Sequence, residues 1–353
     1  MTGLMSRLEA LAPVRRPVRR PVRRPVRRSA RRAGAAAAAL AAAAVLAAGC
    51  SSSSSSGSSA SSSSGGLTQI TLGVVSGNSQ ENAYVAQAEG FFKKNGLNAQ
   101  FTVLNGGGAE ATAALQSGSM TMAEGNIVSV LQGAQHGINA PCFAGGVAFN
   151  TTGNAYAIVG GKGVTSAAQL AGKSIAVISD NSANTLLVDA YLEAHGVNYQ
   201  NVRYSIVAPP NMSAALTSGS ALAAAAPDPF SSQILKQSGT MLSRNPDAYI
   251  PGQPQFACWQ ASSGWLSSHK DVAAKFITAM NEADSYMAAH PTAANAAAAP
   301  LMKVSAASLD ALIPWKYTMA ISKSDITDWL NVAQKYGVLH GSVNMANVLD
   351  PVQ

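Results

Sequence analysis

Residues 81–108 read ENAYVAQAEGFFKKNGLNAQFTVLNGGG, and the rest of the chain can be placed from this stretch. Its first apolar residues recur at three-to-four spacing, which predicts an amphipathic helix that ends at Asn95-Gly96. Residues 101–104 predict a strand, and three glycines lead from it into a second helix near Ala109. A helix start behind such a loop exposes N–H groups and the positive end of the helix dipole, so the loop is a candidate ligand contact.

The same stretch resembles a known protein family. Residues 83–97, AYVAQAEGFFKKNGL, look like the signature helix of solute-binding proteins that serve ABC importers of the nitrate/sulfonate/taurine type. The Gly triplet and residues 114–118, ALQSG, resemble the family's next loop and helix end, and the resemblance covers residues 67–336. It weakens at residues 120–122 and 223–226, where relatives usually carry an Asp. The resemblance implies an α/β fold of the two-lobe periplasmic-binding-protein type II (Venus flytrap), with interdomain crossings near Asn154 and Gln255.

The positive charge of the chain is concentrated at its amino terminus. The 353 residues carry a formal net charge of +7. Residues 1–49 contain eleven Arg and one Glu, whereas residues 50–353 have a net charge of −3. The high isoelectric point therefore gives no support to nucleic-acid binding, and we expect no nucleic-acid partner.

Residues 1–49 predict a targeting segment rather than part of the fold. An RRPV repeat precedes an uncharged run at residues 35–48, which is shorter than the roughly 20 residues of a membrane-spanning helix. The run ends in LAAGC, which resembles a bacterial lipoprotein processing site at Cys50, although Ala47 stands where the pattern has a larger residue. Signal-peptide cleavage with Cys50 as an incidental thiol is the alternative. The general secretory and twin-arginine routes both stay open, as does a true start after Met1.

Residues 50–66 predict a tether. Of the sixteen residues after Cys50, twelve are Ser and the others are Gly or Ala, so the segment cannot bury apolar area. Two lipid tails on Cys50 would supply the double signal that stable anchoring needs. The folded part would then lie at the outer face of the cytoplasmic membrane, on the cell surface or in the periplasm.

The remaining chain predicts two α/β units. Strands alternate with helices over residues 67–226, which is typical of parallel α/β architecture. Residues 215–219, ALTSG, repeat ALQSG, so we expect two structurally related units. After a strand at residues 256–260 the pattern predicts only helices, which return to pack on the first unit. We assign residues 67–154 and 256–353 to lobe 1 and residues 155–255 to lobe 2.

Loops from both lobes predict one ligand cleft. Ligands of such folds lie where strand ends and helix starts face each other, and hydroxyl, amide and free N–H groups there suit a small polar or anionic ligand. The predicted ligand-binding residues are Ser76, Asn78, Ser79, Gly106, Gly107, Gly108, Asn126, Ser179, Asn181, Ser182, Asn184, Thr185 and Asp228. Helix capping is the alternative role for each Ser, Asn and Thr. If they bind ligand, changing Ser182 and Thr185 to Ala should weaken binding by roughly tenfold or more without altering the melting temperature.

Charged and aromatic residues narrow the ligand class. Glu124 opposes an anion if it points into the cleft, but a loop acid of this kind is expected to be solvated. Arg203 and Arg244 lie outside the predicted cleft loops, which favours a neutral or weakly charged ligand, or an anion held by backbone groups. The tryptophans that could stack on a ring ligand, or lie in the core, are Trp259, Trp265 and Trp315.

The sequence contains no pattern typical of catalysis or metal binding. The five His residues lack metal-ligand spacing, and no nucleophile-elbow, phosphate-loop or dinucleotide motif occurs, so we expect no catalytic residue, metal or cofactor. Cys142 and Cys258 are an even pair in a chain predicted to be exported. They indicate either a disulfide or two buried thiols.

The family resemblance implies a monomeric solute-binding component of an ABC importer. It would capture a sulfonate, nitrate or taurine-like ion, a pyrimidine or an aromatic acid by hinge closure and deliver it to a membrane permease. ATP would be hydrolysed on a separate ATPase subunit. Two alternatives stay open: an enzyme on the same fold, similar to pyrimidine synthases, and a ligand-sensing lipoprotein that serves a receptor.

Overall fold

The computed structural model describes residues 66–150 and 155–352. The predicted targeting segment, Cys50 and all but the last residue of the tether lie outside the described residues. The strands are β1 (Thr68–Val75), β2 (Leu97–Leu104), β3 (Met122–Asn126), β4 (Cys142–Gly145), β5 (Val147–Ala148), β6 (Tyr156–Gly160), β7 (Ser174–Val177), β8 (Arg203–Ile206), β9 (Ala223–Pro227), β10 (Thr240–Ser243), β11 (Ala257–Gln260) and β12 (Lys316–Tyr317).

The helices cover both sheets. They are α1 (Glu81–Ala88), α2 (Phe91–Lys94), α3 (Gly107–Ser117), α4 (Ile127–Gln135), α5 (Ala183–Ala194), α6 (Met212–Thr217), α7 (Phe230–Lys236), α8 (Ser263–Ser268), α9 (Lys270–Ala289), α10 (Pro291–Met302), α11 (Ala306–Asp310) and α12 (Lys323–Lys335). Short 3₁₀ turns lie at Ala167–Leu170, Tyr199–Asn201, Pro209–Asn211, Pro246–Tyr249 and Met345–Asn347. No helix in the described part of the chain is both long and apolar enough to cross a membrane.

The opening stretch forms two helices where the sequence predicted one. Gly90 adopts a left-handed conformation with φ 77°, which separates α1 from α2. Gly96, with φ 78°, follows α2 and leads into β2, as the Asn95-Gly96 stop predicted. Val85 and Phe92 are buried, and both helices pack against α9. The regularly spaced apolar residues therefore form one buried face that continues from α1 across the turn into α2.

The first sheet has the strand order β2-β1-β3-β11-β4. β1 pairs in parallel with β2 and β3, whereas β11 runs antiparallel to both β3 and β4. Cys142 on β4 and Cys258 on β11 are joined by a disulfide with a Cα–Cα distance of 5.6 Å, which is one of the two states that the sequence left open.

The second sheet repeats this arrangement strand for strand. Its order, β8-β7-β9-β6-β10, places β7 in parallel pairing with β8 and β9, and β6 antiparallel to β9 and β10. The chain leaves the first sheet after β4, enters the second sheet at β6, and returns to the first sheet between β10 and β11. The residues that follow the carboxyl ends of β1, β3, β7 and β9 can therefore contribute to one ligand site.

The expectation that only helices follow residue 260 is wrong. β12 pairs antiparallel with β5 to form a third, two-stranded sheet. A two-residue strand is too short to show a period, so no pattern in the sequence predicts it. The packing of the last helices is shared: α9 contacts α1 and α2, whereas α12 contacts α4 beside the first sheet and α5 beside the second.

Candidate functional site

A small cavity lies at the strand ends of the two sheets and has a volume of about 40 Å³. Six of the thirteen predicted ligand-binding residues line it, namely Ser76, Ser79, Gly107, Gly108, Asn126 and Asn184. The other lining residues are Val75, Gln80, Glu124, Gly125, Tyr156, Ile178, Pro227, Phe256, Ala257 and Trp315. Both sheets therefore contribute walls to one site, as the sequence predicted, and ligand contact by these residues stays a prediction.

Glu124 is the acid of this cavity. The sequence predicted a solvated loop residue, which is wrong because β3 continues to Asn126 and lies between β1 and β11. The Glu124 side chain is only 2% exposed, and Gln80 Nε2 donates a hydrogen bond to its Oε2. Burial raises the pKa of Glu124 to about 8, although hydrogen bonds from Gln80 and Ser79 act in the opposite direction. The carboxyl group is therefore mainly protonated and uncharged at neutral pH.

The glycine loop permits a close approach between the two walls. Gly107 has φ 63°, and a Cβ atom there would lie 3.0 Å from Ile178 Cγ2 of the second wall. A Cβ atom on Gly108 would lie 2.7 Å from Ser129 Oγ. The first turn of α3 can therefore face the cavity only without side chains, which leaves its backbone N–H groups accessible to a ligand.

Asn126 connects the two walls. Its side chain caps α4 by accepting a hydrogen bond from Ser129 N at 3.0 Å. The same Oδ1 atom accepts from Ala183 N, at the start of α5 beside the second sheet, at 3.3 Å. Helix capping and closure of the site thus use one side chain, so the two roles that the sequence left open for Asn126 are compatible.

Ser182 and Thr185 act as helix caps. They form a capping box at the start of α5, in which Ser182 N donates to Thr185 Oγ1 at 3.0 Å and Ser182 Oγ accepts from Asn184 N at 3.2 Å. Ser179 Oγ donates to Ser182 Oγ at 2.9 Å. Neither Ser182 nor Thr185 lines the cavity, so changing them to Ala should lower stability, contrary to the expectation of an unchanged melting temperature.

Asn184 and Tyr156 form the polar part of the second wall. The Tyr156 hydroxyl donates to Asn184 Oδ1 at 2.7 Å and is within 3.0 Å of the Ala225 carbonyl oxygen. Burial raises the pKa of Tyr156, so its hydroxyl stays protonated. Asn184 Nδ2 lies 3.2 Å from Ser179 Oγ. This network fixes the position of the Asn184 amide group at the cavity wall.

Five further predicted residues lie outside the cavity, and one of them is Ser179, whose hydrogen bonds to Ser182 and Asn184 are given above. Asp228 is buried, and its Oδ1 accepts a hydrogen bond from Ser232 N at 3.0 Å near the start of α7. Its carboxylate therefore already has a hydrogen-bond partner within the protein. Asn181 is exposed with φ 46°, which fits a turn residue. Gly106 N donates to Glu110 Oε2 at 2.7 Å. Asn78 lines a neighbouring cavity.

Sequence reasoning missed most of the aromatic lining. Phe256 stacks on Trp315 with ring centroids 5.5 Å apart and lies 5.8 Å from the Tyr156 ring. Of the three tryptophans considered, Trp315 lines the cavity, whereas Trp259 is buried in the core and Trp265 stacks on His269. The sequence pattern predicted only that Tyr156 begins a strand. The pairing of β6 with β9 brings the Tyr156 hydroxyl to the site.

The cavity has polar side chains set among apolar and aromatic ones, and its described lining lacks a cationic side chain. No Lys, Arg or His is among its described lining residues, and Arg203 and Arg244 are exposed elsewhere. Within residues 66–150 and 155–352, no group of three His, Cys, Asp or Glu side chains is placed to hold a metal ion. The arrangement can therefore hold a small molecule by hydrogen bonds from amide, hydroxyl, carboxyl and backbone groups.

Comparison with solved structures identifies the fold. The ligand-binding component of an ABC-type import system from Staphylococcus aureus, with zinc bound, has a TM-score of 0.68 at 18% identity, over 81% of this chain and 97% of that chain. The alkanesulfonate-binding protein SsuA from Xanthomonas axonopodis, bound to MOPS, has a TM-score of 0.64 at 18% identity, over 77% and 94%. The nitrate-binding protein NrtA from Synechocystis has a TM-score of 0.68 at 15% identity, over 80% and 84%. The predicted periplasmic-binding fold is therefore confirmed.

Comparison with family models identifies the family. No curated protein matches the chain. The model described as NMT1/THI5 like matches residues 79–294, which span the opening stretch, the second sheet, every strand of the first sheet except β1, and the start of α10. The match covers more than half of the 353 residues. This chain belongs to the NMT1/THI5-like family.

Proposed function

We propose that this chain is the solute-binding component of an ABC importer and that the cavity between the sheets is its ligand site. The observation that carries the proposal is the composition of the cavity walls. Glu124 and Asn126 come from the first sheet, Tyr156 from the second sheet and Asn184 from α5 beside it, and all four are buried residues with polar groups. The Staphylococcus, Xanthomonas and Synechocystis neighbours are binding proteins, which supports the same role here.

Capture would proceed by closure of two lobes, each built on one sheet at the predicted boundaries of residues 154 and 255. A cavity needs about 10–15 Å³ to hold one water molecule, so 40 Å³ is room for only a few waters. An organic ligand therefore requires the walls to separate. The hydrogen bond from Ala183 N to Asn126 is one contact that opening would break, and a ligand touching both walls would favour the closed state.

The ligand of the cleft is a neutral hydrogen-bonding organic molecule, such as a pyrimidine. The protonated Glu124 carboxyl can donate one hydrogen bond and accept another, as can an Asn amide. A sulfonate or nitrate ion would meet no side-chain cation in the cavity and would lie near an acid that ionises as the pH rises. This chemistry ranks pyrimidines above sulfonates, taurine, nitrate and aromatic acids.

A thermal-shift panel with these five ligand classes tests the proposal. A ligand that binds only the folded state raises stability by about 2.7 kcal/mol at a hundred times its dissociation constant, which shifts the melting temperature by a few degrees. We expect a pyrimidine to shift the wild-type protein and Glu124→Gln to lower its affinity by about tenfold or more. Glu89→Gln is the matched control, since Glu89 is an exposed acid outside the cavity.

Each outcome of the panel has a defined meaning. A response only to sulfonates or nitrate would contradict the ligand assignment and retain the binding role. Equal affinity in wild type and Glu124→Gln would place the ligand elsewhere. A ligand that binds without a decrease in the radius of gyration by X-ray scattering would contradict lobe closure.

Binding rather than catalysis is supported by the chemistry of the described cavity. Its ionisable side chains are Glu124 and Tyr156, and both are hydrogen-bonded to neighbouring side chains. Nucleophilic catalysis needs a nucleophile within reach of a base. A turnover assay with any ligand found in the panel tests this, because consumption of the ligand would contradict it.

Export with a lipid anchor at Cys50 completes the proposal. Anchoring would hold the binding domain beside its proposed partners, a membrane permease and an ATPase subunit. The mass of the membrane-extracted protein tests the anchor, and we expect a chain that begins at Cys50 and carries lipid. A soluble exported chain with a different amino terminus would contradict it.

A further inference from the structure

A second cavity, larger than the cleft, lies on the other side of Trp315. Its volume is about 670 Å³, and α1, α9, α10 and α11 contribute to its walls. Trp315 lines both cavities, and its Nε1 donates to Asn78 Oδ1 at 3.0 Å. This side chain separates a small, nearly neutral site from a large one of different chemistry.

Three carboxyl groups line the second cavity. They belong to Glu81 on α1, Asp284 on α9 and Asp310 on α11, and none of the described lining residues is Lys, Arg or His. The ion pairs recorded in the described part of the chain involve other acids, namely Glu282, Asp271 and Glu193. The cavity therefore concentrates acids that lack a cationic partner there.

The Glu81 carboxyl carries an unsatisfied atom. Glu81 is 4% exposed, and its Oε1 has no hydrogen-bond partner. Asp284 Oδ1 accepts from Asn82 Nδ2 at 2.8 Å, and Asp310 Oδ1 accepts from Asn295 Nδ2 at 2.8 Å, so these two acids have neutral donors. A buried polar atom without a hydrogen-bond partner destabilises the folded protein, and a bound donor would remove that penalty.

The walls also suit an organic body. Trp315 and Tyr317 present aromatic rings, while Met287, Leu309 and Leu312 add apolar surface. An aromatic face attracts a cation placed over it, and a buried carboxylate is stabilised most by a partner that carries both positive charge and hydrogen-bond donors. An ammonium group on a short hydrocarbon chain matches all of these features.

We propose that this second cavity binds an organic ammonium ligand, with Glu81 as the principal acceptor and Asp284 and Asp310 as supporting charges. The assignment adds a site to the cleft and does not depend on the identity of the cleft ligand. Burial and the charge of Asp310 raise the pKa of Glu81 to about 7, although a hydrogen bond with the Tyr317 side chain acts in the opposite direction. Burial raises the pKa of Asp284 to about 6, against the opposing effect of the Asn82 hydrogen bond. Since the ammonium ligand favours ionised carboxyl groups, binding at neutral pH should release protons.

Calorimetric titration of the purified protein with 1,4-diaminobutane tests the site. The neutral probe 1,4-butanediol has the same chain length and hydroxyl groups in place of the ammonium groups. We expect the diamine to bind and the diol to give no heat. Glu81→Gln should weaken diamine binding by about tenfold or more. Asp271→Asn, which removes an exposed acid from the same helix as Asp284, should leave the affinity within about twofold.

A second variant tests the site even if Glu81→Gln does not fold. Asp310 is exposed at the end of α11, so Asp310→Asn should fold as the wild type does and should weaken diamine binding. Unchanged affinity in folded Glu81→Gln and Asp310→Asn would overturn the proposal, as would equal binding of the diol or no diamine binding to the wild type. Loss of diamine binding in Glu124→Gln would locate the diamine in the cleft, which would also overturn it.

Discussion

Replacing Glu124 by Gln should make the stability of this protein less dependent on pH. The carboxyl group is buried and its pKa is raised to about 8, against a usual value of 4.5. Because the folded-state pKa is the higher one, the folded protein favours the protonated form. The stabilisation from this group is complete below pH 4.5 and is lost as the pH rises through 8.

The size of the effect follows from the two pKa values. Each unit of pKa difference corresponds to about 1.36 kcal/mol. Between about pH 5 and pH 8.5, the Glu124 carboxyl should lower the free energy of unfolding by about 4 kcal/mol. Gln keeps an oxygen that accepts from Gln80 and cannot ionise, so near pH 5 the variant should match the wild type within about 1 kcal/mol.

Urea unfolding at half-unit pH steps measures this difference. Raised pKa values of Glu81 and Asp189 at about 7 and Asp284 at about 6 also make the wild type less stable toward high pH, so only the difference between the two proteins isolates Glu124. Glu89→Gln is the control and should follow the wild-type curve. Parallel curves for wild type and Glu124→Gln would refute the reasoning, because they would mean that Glu124 ionises in the folded protein as it does in water.

Two further substitutions test the local geometry of the site. Ser182→Ala should lower the free energy of unfolding by about 1–2 kcal/mol because the cap of α5 is lost. Ser267 is exposed on α8, so the control variant Ser267→Ala should change the free energy of unfolding by less than about 0.5 kcal/mol. Equal urea midpoints for the two variants would contradict the capping role of Ser182. Gly108→Ala should lower it by about 1–3 kcal/mol because the new Cβ meets Ser129 Oγ at 2.7 Å. A Cβ atom on Gly264 would meet nothing within 4 Å, so the control variant Gly264→Ala should raise the free energy of unfolding by about 0.5–1 kcal/mol. A change of the same sign in both glycine variants would contradict the close approach at Gly108.

Much of the fold could be predicted from local sequence. The helix pattern before Asn95, the glycines before α3 and the repeated ALQSG and ALTSG segments are signals carried by neighbouring residues, and the α/β plan follows from them. Short structural features were not predicted. The division of the first helix at Gly90 and the two-residue strand β12 depend on single backbone conformations or distant pairing, which leave no period in the sequence.

The region of the candidate site was predicted from the sequence, and ligand contact by its individual residues stays a prediction. Loops at strand ends pointed to the right region because parallel strands end together, and six of the predicted residues do line the cavity. The choice between capping and ligand contact could not be made from residue type, since Ser182 and Asn184 are equally suited to both roles. Only the register of β3 and β11 shows that Glu124 is buried.

By itself, the sequence determined the fold class, the polar character of the loops and the acidic balance of residues 50–353, because each depends on residue type and near neighbours. The tertiary structure decided which polar groups face a ligand and in which protonation state. Gln80 meets Glu124 across 44 positions, and Trp315 meets Asn78 across 237. Charge, burial and cavity shape are properties of such distant contacts, so they exist only once the chain has folded.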